Sequence, residues 1–305
     1  MRGFDPYLTF QKLEVFCTVA ELESVTGAAD KLCVTQPVVT AHLRSMEAKL
    51  GCVLVKRVGR NIALTEAGHR VHRWALEVLA LTHEMERELA VVETGCRGQA
   101  TIATFMSLGS YFLPPLISEF TSLHDEGRVT VRVSDSTAAI EAARAGECDF
   151  AVTFLEPNQD LDRLTTRHLW DEPLVLVCAP QTRWVDEKDL LASLSRVAFV
   201  SAPLNTIHRR VEDDLLRKRG LENRNIVLEL SHPEAIKHAV KNDLGLCFML
   251  YSSVRPEIEQ GSLKLLDHPD LRFNMPVFLV HRDDKIFSTY QSVLIQHLLD
   301  SAQKP

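Results

Sequence analysis

The sequence predicts an α+β multidomain chain in which a winged helix-turn-helix unit, a long linker helix and a large α/β region follow one another. Three observations predict it. Apolar residues fall at helical spacing through the first fifty residues and then give way to two short strand-like runs; an unbroken helical repeat follows Thr65; from residue 99 strand-like and helix-like runs alternate to the end. A length of 305 residues suits two or three folded units. With 46% hydrophobic and 25% charged residues the chain can bury real cores, which excludes a fibre, a disordered chain or a disulfide-stapled miniprotein.

In the first unit Leu13, Phe16, Cys17 and Ala20 share one helical face. Ser24 is placed to cap a second helix carrying Val25, Ala28, Ala29 and Leu32. Cys33-Val34-Thr35 interrupts the pattern. Gln36-Pro37 then opens a third helix through Val39, Leu43, Met46 and Leu50, proline being acceptable where a first-turn N–H has no intrahelical partner. Two helices joined by so short a turn are the elements of a helix-turn-helix, and Ala28 and Ala29 allow them to approach closely. The outer side of the third helix offers Thr35, Gln36, Thr40, His42 and Arg44. Glutamine can pair with adenine, arginine with guanine, and threonine hydroxyls with phosphate oxygens. Residues 53–64 read as two strands around a glycine turn whose tip carries Lys56, Arg57 and Arg60, as expected of a wing along a sugar-phosphate backbone.

Charge supports this placement. The net charge of -7 argues against a polyanion partner for the whole chain, yet residues 1–68 sum to +1 and the remainder to -8. Between Thr35 and Arg60 five basic side chains face one acidic residue, Glu47. Feature by feature, a plain helical bundle and a solvated basic turn remain open.

Taken in order, Ala-Ala-Asp-Lys-Leu at 28–32, Thr-Gln-Pro at 35–37, Leu-x-x-Met-Glu-x-x-Leu-Gly at 43–51, Lys-Arg at 56–57 and Leu-Thr-Glu-Ala-Gly at 64–68 resemble the LysR-type transcriptional regulators. The match is close over residues 10–68 and extends to the rest in layout. One departure is Val55 after Leu54, where the family usually has an aromatic. The resemblance implies double-stranded promoter DNA as partner, a dimer of dimers (a homotetramer), and RNA polymerase as a further contact. It also implies a C-terminal region like the periplasmic binding proteins, with two lobes around an effector cleft.

The linker helix carries Val71, Trp74, Val78, Leu81, Met85, Leu89 and Val92, steps that average 3.5 residues. That is the period of a two-helix seam, so a homodimer through this helix is expected, against the alternative that it packs on its own domain. Two units so joined would read two half-sites. The expected domains are 1–64 for DNA binding, 65–94 for the linker, 95–98 for a hinge and 99–305 for effector binding. By resemblance the last divides into lobe I (99–167 and 268–305) and lobe II (168–267).

Strands are expected at 101–105, 129–134, 150–154, 174–179, 197–200, 226–230, 246–250 and 276–281. Helices are expected at 111–123, 138–145, 207–219, 233–242 and 287–301, the pattern of parallel α/β units. Ligands bind such sheets beyond the carboxyl ends of strands, where loop N–H groups and helix N-termini converge. The strand ends offer Ser107, Ser136 and Phe154 on one side and Ser201, Asn205 and His232 on the other. By resemblance, Ser107 and Ser136 sit where relatives hold an effector carboxylate, which points to a small organic or aromatic acid. Taken singly, each Ser or Thr reads first as a helix cap, and His232 before Pro233 as a loop or cap residue.

No nucleophile-elbow, zinc-helix, phosphate-loop or dinucleotide motif occurs, so no enzyme, cofactor or metal is expected. Seven scattered cysteines without a Cys-x-x-Cys pair read as reduced thiols. Cys178 and Cys247 fall on strands and read as inert; Cys96 and Cys148 leave a thiol redox sensor of the same fold as an alternative. A free-standing small-molecule binding protein is the other alternative; it would need export. No long apolar run or signal-type N-terminus is present, so a cytoplasmic protein without membrane contact is expected.

Overall fold

The structure is a computed structural model that describes residues 8–302 except 60, 95–97, 183–184, 186–189, 195 and 222–223. It divides into two compact units, Met1–Ala90 with Ala145–Glu147, and Val91–Arg144 with Cys148–Pro305.

The first unit opens with α1 (Phe10–Leu22), α2 (Val25–Lys31) and α3 (Gln36–Leu50). The Ser24 hydroxyl caps α2 by accepting from the Gly27 amide at 3.0 Å. Gly51 ends α3 in the left-handed region at φ +69, where glycine carries no Cβ penalty. Phe16, Ala28, Ala29, Val39, Leu43 and Met46 pack together as the core, so the small alanines do allow the second and third helices to close on one another. The wing follows as antiparallel β1 (Val55–Val58) and β2 (Asn61–Leu64), turned at Gly59 with φ +65.

Glu47, the one acid of the basic segment, accepts from the Leu54 amide at 2.8 Å and so ties α3 to the approach of the wing. Next comes α4 (Glu66–Thr94), whose Thr65 hydroxyl accepts from the Gly68 amide at 2.9 Å and donates to the Val53 carbonyl at 2.7 Å. Gly68 is required by space, since a Cβ there would lie 2.0 Å from the Leu54 oxygen. Along α4, Val71 and Val78 pack on the first unit's own core, while Leu81, Met85 and Leu89 stay exposed.

The second unit begins with β3 (Gly98–Phe105), a π-helical turn at Leu108–Phe112, α5 (Leu113–Leu123), β4 (Gly127–Ser134), α6 (Ser136–Arg144) and β5 (Phe150–Thr153). Strands β3, β4 and β5 are parallel, as the alternating pattern predicts. Then β6 (Leu164–Cys178), α7 (Leu190–Leu194), β7 (Ala198–Ser201), α8 (Ile207–Arg217), β8 (Asn225–Glu229), α9 (Pro233–Lys241), β9 (Cys247–Leu250), α10 (Tyr251–Glu259), β10 (Lys264–Leu265), β11 (Phe273–Arg282) and α11 (Thr289–Ala302) complete the chain.

The all-parallel expectation needs correction. β6 and β11 are long and pair antiparallel over Leu164–Leu174 of β6, and β9 and β10 add antiparallel to β6 toward its end. Only the second half of β6, from Leu174, is a continuous apolar run. Its first half, Leu-Thr-Thr-Arg-His-Leu-Trp-Asp-Glu-Pro, mixes polar residues and a proline, which hides a strand from pattern reading. The register shifts between Val277 and Phe278. On one side of this irregularity β11 pairs with both β5 and β6, and on the other side with β6 alone. β7 and β8 form a separate parallel pair.

Candidate functional site

On α3 the positions Gln36, Thr40 and Arg44 are spaced four apart and form one stripe beside Pro37 and Ala41, and these five residues line a shallow depression. Gln36 and Arg44 are exposed; Thr40 is half-buried and donates to the Gln36 carbonyl at 3.0 Å, leaving its lone pairs outward. Thr35 is the exposed N-cap residue of the helix, without a side-chain cap bond. His42 departs from the expected arrangement. It is half-buried on the flank shared with Val39 and Met46, and its Nδ1 is enclosed without a hydrogen-bond partner. Lys56 and Arg57 are exposed on β1, and Arg60 lies outside the described residues. The stripe and strand β1 thus present five hydrogen-bonding or cationic side chains suited to base edges and phosphates.

In the second unit a cavity of about 370 Å³ lies between the carboxyl ends of β3 and β4 on one side and α8, α9 and β9 on the other. Ser107, Ser136 and Asn205 line it, as do Ser134, Asp135, Thr137 and Thr206. Phe105, Ile207, Ile236 and Phe248 give it an apolar wall. Three site residues read from the sequence do not line it. Phe154 is fully buried behind the wall, with its ring centroid 4.7 Å from that of Phe105. Ser201 is buried one residue short of the lining, and its hydroxyl has no hydrogen-bond partner among the described residues. His232 caps α9, with Nδ1 accepting from the Glu234 amide at 3.2 Å.

Sequence reasoning missed His208, the second residue of α8. Its ring stacks at 25° to Phe105 and 27° to Phe154, it lines the cavity, and its Nε2 is enclosed without a partner among the described residues. Burial, aided by the charge of Arg209, pulls its pKa down to about 4, so the imidazole is neutral at ordinary pH. An amphipathic period would have placed His208 beside the core, but nothing in the linear sequence distinguishes it from a surface histidine.

The cations near the cavity are all engaged. Arg209 bonds Asp213 at 2.8 Å and the Ala202 carbonyl at 2.7 Å, and Arg224 bonds Glu212 at 2.5 Å and also Asp213. Burial raises the Glu212 pKa, and Arg224 opposes that rise. Lys237 lies against Glu234 at 2.6 Å and Glu257 at 2.8 Å, and over the Tyr111 ring at 4.5 Å.

Comparison with known proteins decides the family. The description "Bacterial regulatory helix-turn-helix protein, lysR family" matches residues 10–69, and "LysR substrate binding domain" matches residues 94–303. The chain belongs to the LysR family of transcriptional regulators. As a LysR-type regulator it is a DNA-binding protein with an effector-binding domain and is not an enzyme. Similar relatives include the HTH-type transcriptional activator CmpR of Synechocystis, 27% identical over 95% of this chain and 94% of that one. The RuBisCO operon transcriptional regulator of Allochromatium vinosum is 26% identical over 98% of both. A full-length LysG from Corynebacterium glutamicum, solved with bound effector Arg, shares the fold with a TM-score of 0.57 at 20% identity, covering 97% of this chain and 98% of that one.

The thiol alternative loses ground. Cys148, one of the two thiols that left a redox sensor open, is buried, as are Cys17, Cys178 and Cys247. Burial pushes the Cys17 thiol up to about 12 and Cys247 upward as well, away from the reactive thiolate. Cys33 is exposed in the turn before α3, and Cys96 lies outside the described residues. No helix among the described residues is long and apolar enough to cross a membrane.

Proposed function

We propose that this LysR-type regulator binds promoter DNA through Gln36, Thr40 and Arg44 of α3, with Thr35, Lys56, Arg57 and Arg60 engaging phosphates. A small organic or aromatic acid in the cavity lined by Ser107, Ser136 and Asn205 modulates that binding. The observation that carries the reading is the cavity itself. Hydroxyls at the ends of two parallel strands face an apolar wall across a volume suited to a small ligand.

In this reading the second unit works as two lobes joined by β6 and β11. The irregularity at Val277/Phe278 is the place where they flex. A ligand that binds one lobe arrangement better shifts the population toward it, by no more than its differential affinity. The linker helices pair two chains, two such pairs make a homotetramer, and the protein works in the cytoplasm alongside RNA polymerase.

A thermal-shift screen of small acids tests the effector half, because a ligand at 100 times its Kd adds about 2.7 kcal/mol of stability. Ser107→Ala with Ser136→Ala is expected to abolish the response to a hit while sparing basal promoter binding. An unchanged dose response removes these serines from the site.

A further inference from the structure

We infer that the effector cavity takes a ligand with a single negative charge, a monocarboxylate on an apolar body, and rejects di- and tricarboxylates and phosphate esters. The inference rests on the cavity being the effector site and goes beyond that reading to the charge of what it holds.

The argument is one of charge balance. None of the residues that line the cavity is lysine or arginine, while two, Asp135 and Glu212, are acids. The cations packed nearby are not held in reserve. Arg209 is closed by Asp213 and Glu229, Arg224 by Glu212 and Asp213, Lys237 by Glu234 and Glu257, and Arg210 by Glu156. Drawing Arg224 toward a ligand would strand the buried carboxylate of Glu212, and drawing Arg210 would break its ion pair with Glu156.

What remains to meet an anion is weaker. The first turns of α6, α8 and α9 point their amides toward this side of the unit, each end worth about half a positive charge. Asp135 has already spent part of the first of these, since its carboxylate accepts from the Ala138 amide at 2.9 Å. Hydroxyls of Ser107, Ser136 and Thr137 can donate, and the neutral His208 ring lines the cavity beside them. Partial charges and neutral donors of this kind suffice for one carboxylate. A second would face Asp135, with no lysine or arginine among the described lining residues to offset the repulsion. The apolar lining, Phe105 on the strand-end side and Ile207, Ile236 and Phe248 on the other, takes an apolar body and offers nothing to a second charged end.

Calorimetric titration of the full-length protein with matched pairs tests this: benzoate against phthalate, phenylacetate against phenylmalonate, and hexanoate against adipate, with citrate and fructose 1,6-bisphosphate alongside. At least one monocarboxylate is expected to bind at least about tenfold more tightly than its dianionic partner, and the two polyanions to give no saturable heat. Asn205→Arg, or Thr137→Lys should the first fail to fold, adds a cation to the lining and is expected to narrow the gap by about tenfold. A dianion or polyanion that binds as tightly as its matched monocarboxylate overturns the inference, as does a panel in which no monocarboxylate binds. Thr137→Trp and His208→Leu separate the two levels of the claim. Polyanion binding lost in both variants defeats the charge rule and leaves the cavity standing; monocarboxylate binding that survives both defeats the cavity reading itself.

Discussion

The phenol of Tyr111, on the π-helical turn after β3, donates a hydrogen bond to the carboxylate of Glu234 on α9, 123 residues further along the chain. The bond ties the strand-end side of the cavity to the helical side. Its surroundings make it persistent. Burial and the neighbouring Glu234 push the Tyr111 pKa upward, so the phenol stays a donor. Hydrogen bonds from Lys237 and Tyr111 hold Glu234 below the usual carboxylate range although burial works the other way, so it stays an acceptor. A second tie, Arg210 to Glu156 at 2.5 Å, links α8 to the loop after β5.

Tyr111→Phe keeps the ring under Lys237 and removes only the donor. Hydrogen bonds to charged groups contribute about 1.5–3 kcal/mol, and Glu234 retains Lys237, so a loss of about 1–2 kcal/mol is expected in urea unfolding of the protein. An unfolding midpoint within error of wild type would show that the bond contributes nothing net.

On DNA the α3 stripe and the wing should separate by what they read. Gln36→Ala and Arg44→Ala are each expected to weaken operator binding by about 1–3 kcal/mol while changing random-sequence binding little. Lys56→Ala should weaken both equally and lower the salt slope by about 1. Fluorescence anisotropy on a cognate and a scrambled duplex over a salt series makes the comparison. Equal losses on the two duplexes for Gln36→Ala would contradict base reading.

His208 gives the protein a pH signature whose sign is fixed. Its folded pKa of about 4 lies below the ordinary imidazole value of 6.5, so between these values the unfolded chain binds the extra proton. Stability therefore rises with pH across that window and falls as the solution is acidified through it. The whole contribution is on the order of 3 kcal/mol at most. His208→Phe keeps the stacking on Phe105 and Phe154 and should flatten this part of the stability profile. A profile with the same slope would place the titration elsewhere.

Much of this was legible before the structure, for reasons particular residues make plain. Ser24, Pro37 and Gly51 mark helix ends by local chemistry, and Gly59 marks the wing turn, so the first unit could be read nearly residue by residue. Ser107, Ser136 and Asn205 follow from the rule that strand ends face ligands. What stayed hidden depends on contacts between distant segments. His42 is turned inward by the drift of a 3.6-residue helix across a boundary between faces. Phe154 sits at a strand end yet is covered by Phe105 and His208. The first half of β6 carries Thr, Arg, His, Asp and Pro, and it becomes a strand because β11 lies beside it.

Gly68 offers a sharp steric test. The residue sits in the first turn of α4, where a methyl group would meet the Leu54 carbonyl at 2.0 Å. That oxygen also accepts from the Thr65 amide at 2.9 Å, so relief by moving it breaks the joint between wing and linker. Gly68→Ala should cost about 1–3 kcal/mol or more despite alanine's better helix propensity. A thermal midpoint equal to or above wild type would mean the backbone yields there freely.

The linker helix divides its apolar residues between two tasks. Val71 and Val78 pack on the core of the DNA-binding unit, which is the packing that a helix bound to its own domain would show. Leu81 (57% exposed), Met85 (50%) and Leu89 (56%) continue the same period and keep half or more of their surface in solvent. A three-residue apolar stripe in water is expensive, since each leucine buried against a partner contributes about 1.5–3 kcal/mol. Leu81→Lys with Leu89→Lys should therefore shift the protein toward monomer in sedimentation velocity while its thermal unfolding at low concentration stays that of a folded chain. Val78→Lys is the contrasting variant: it should unfold the helix-turn-helix before it changes assembly. Were the double variant to sediment as wild type, the seam joining two chains would have to lie on a surface other than this helix.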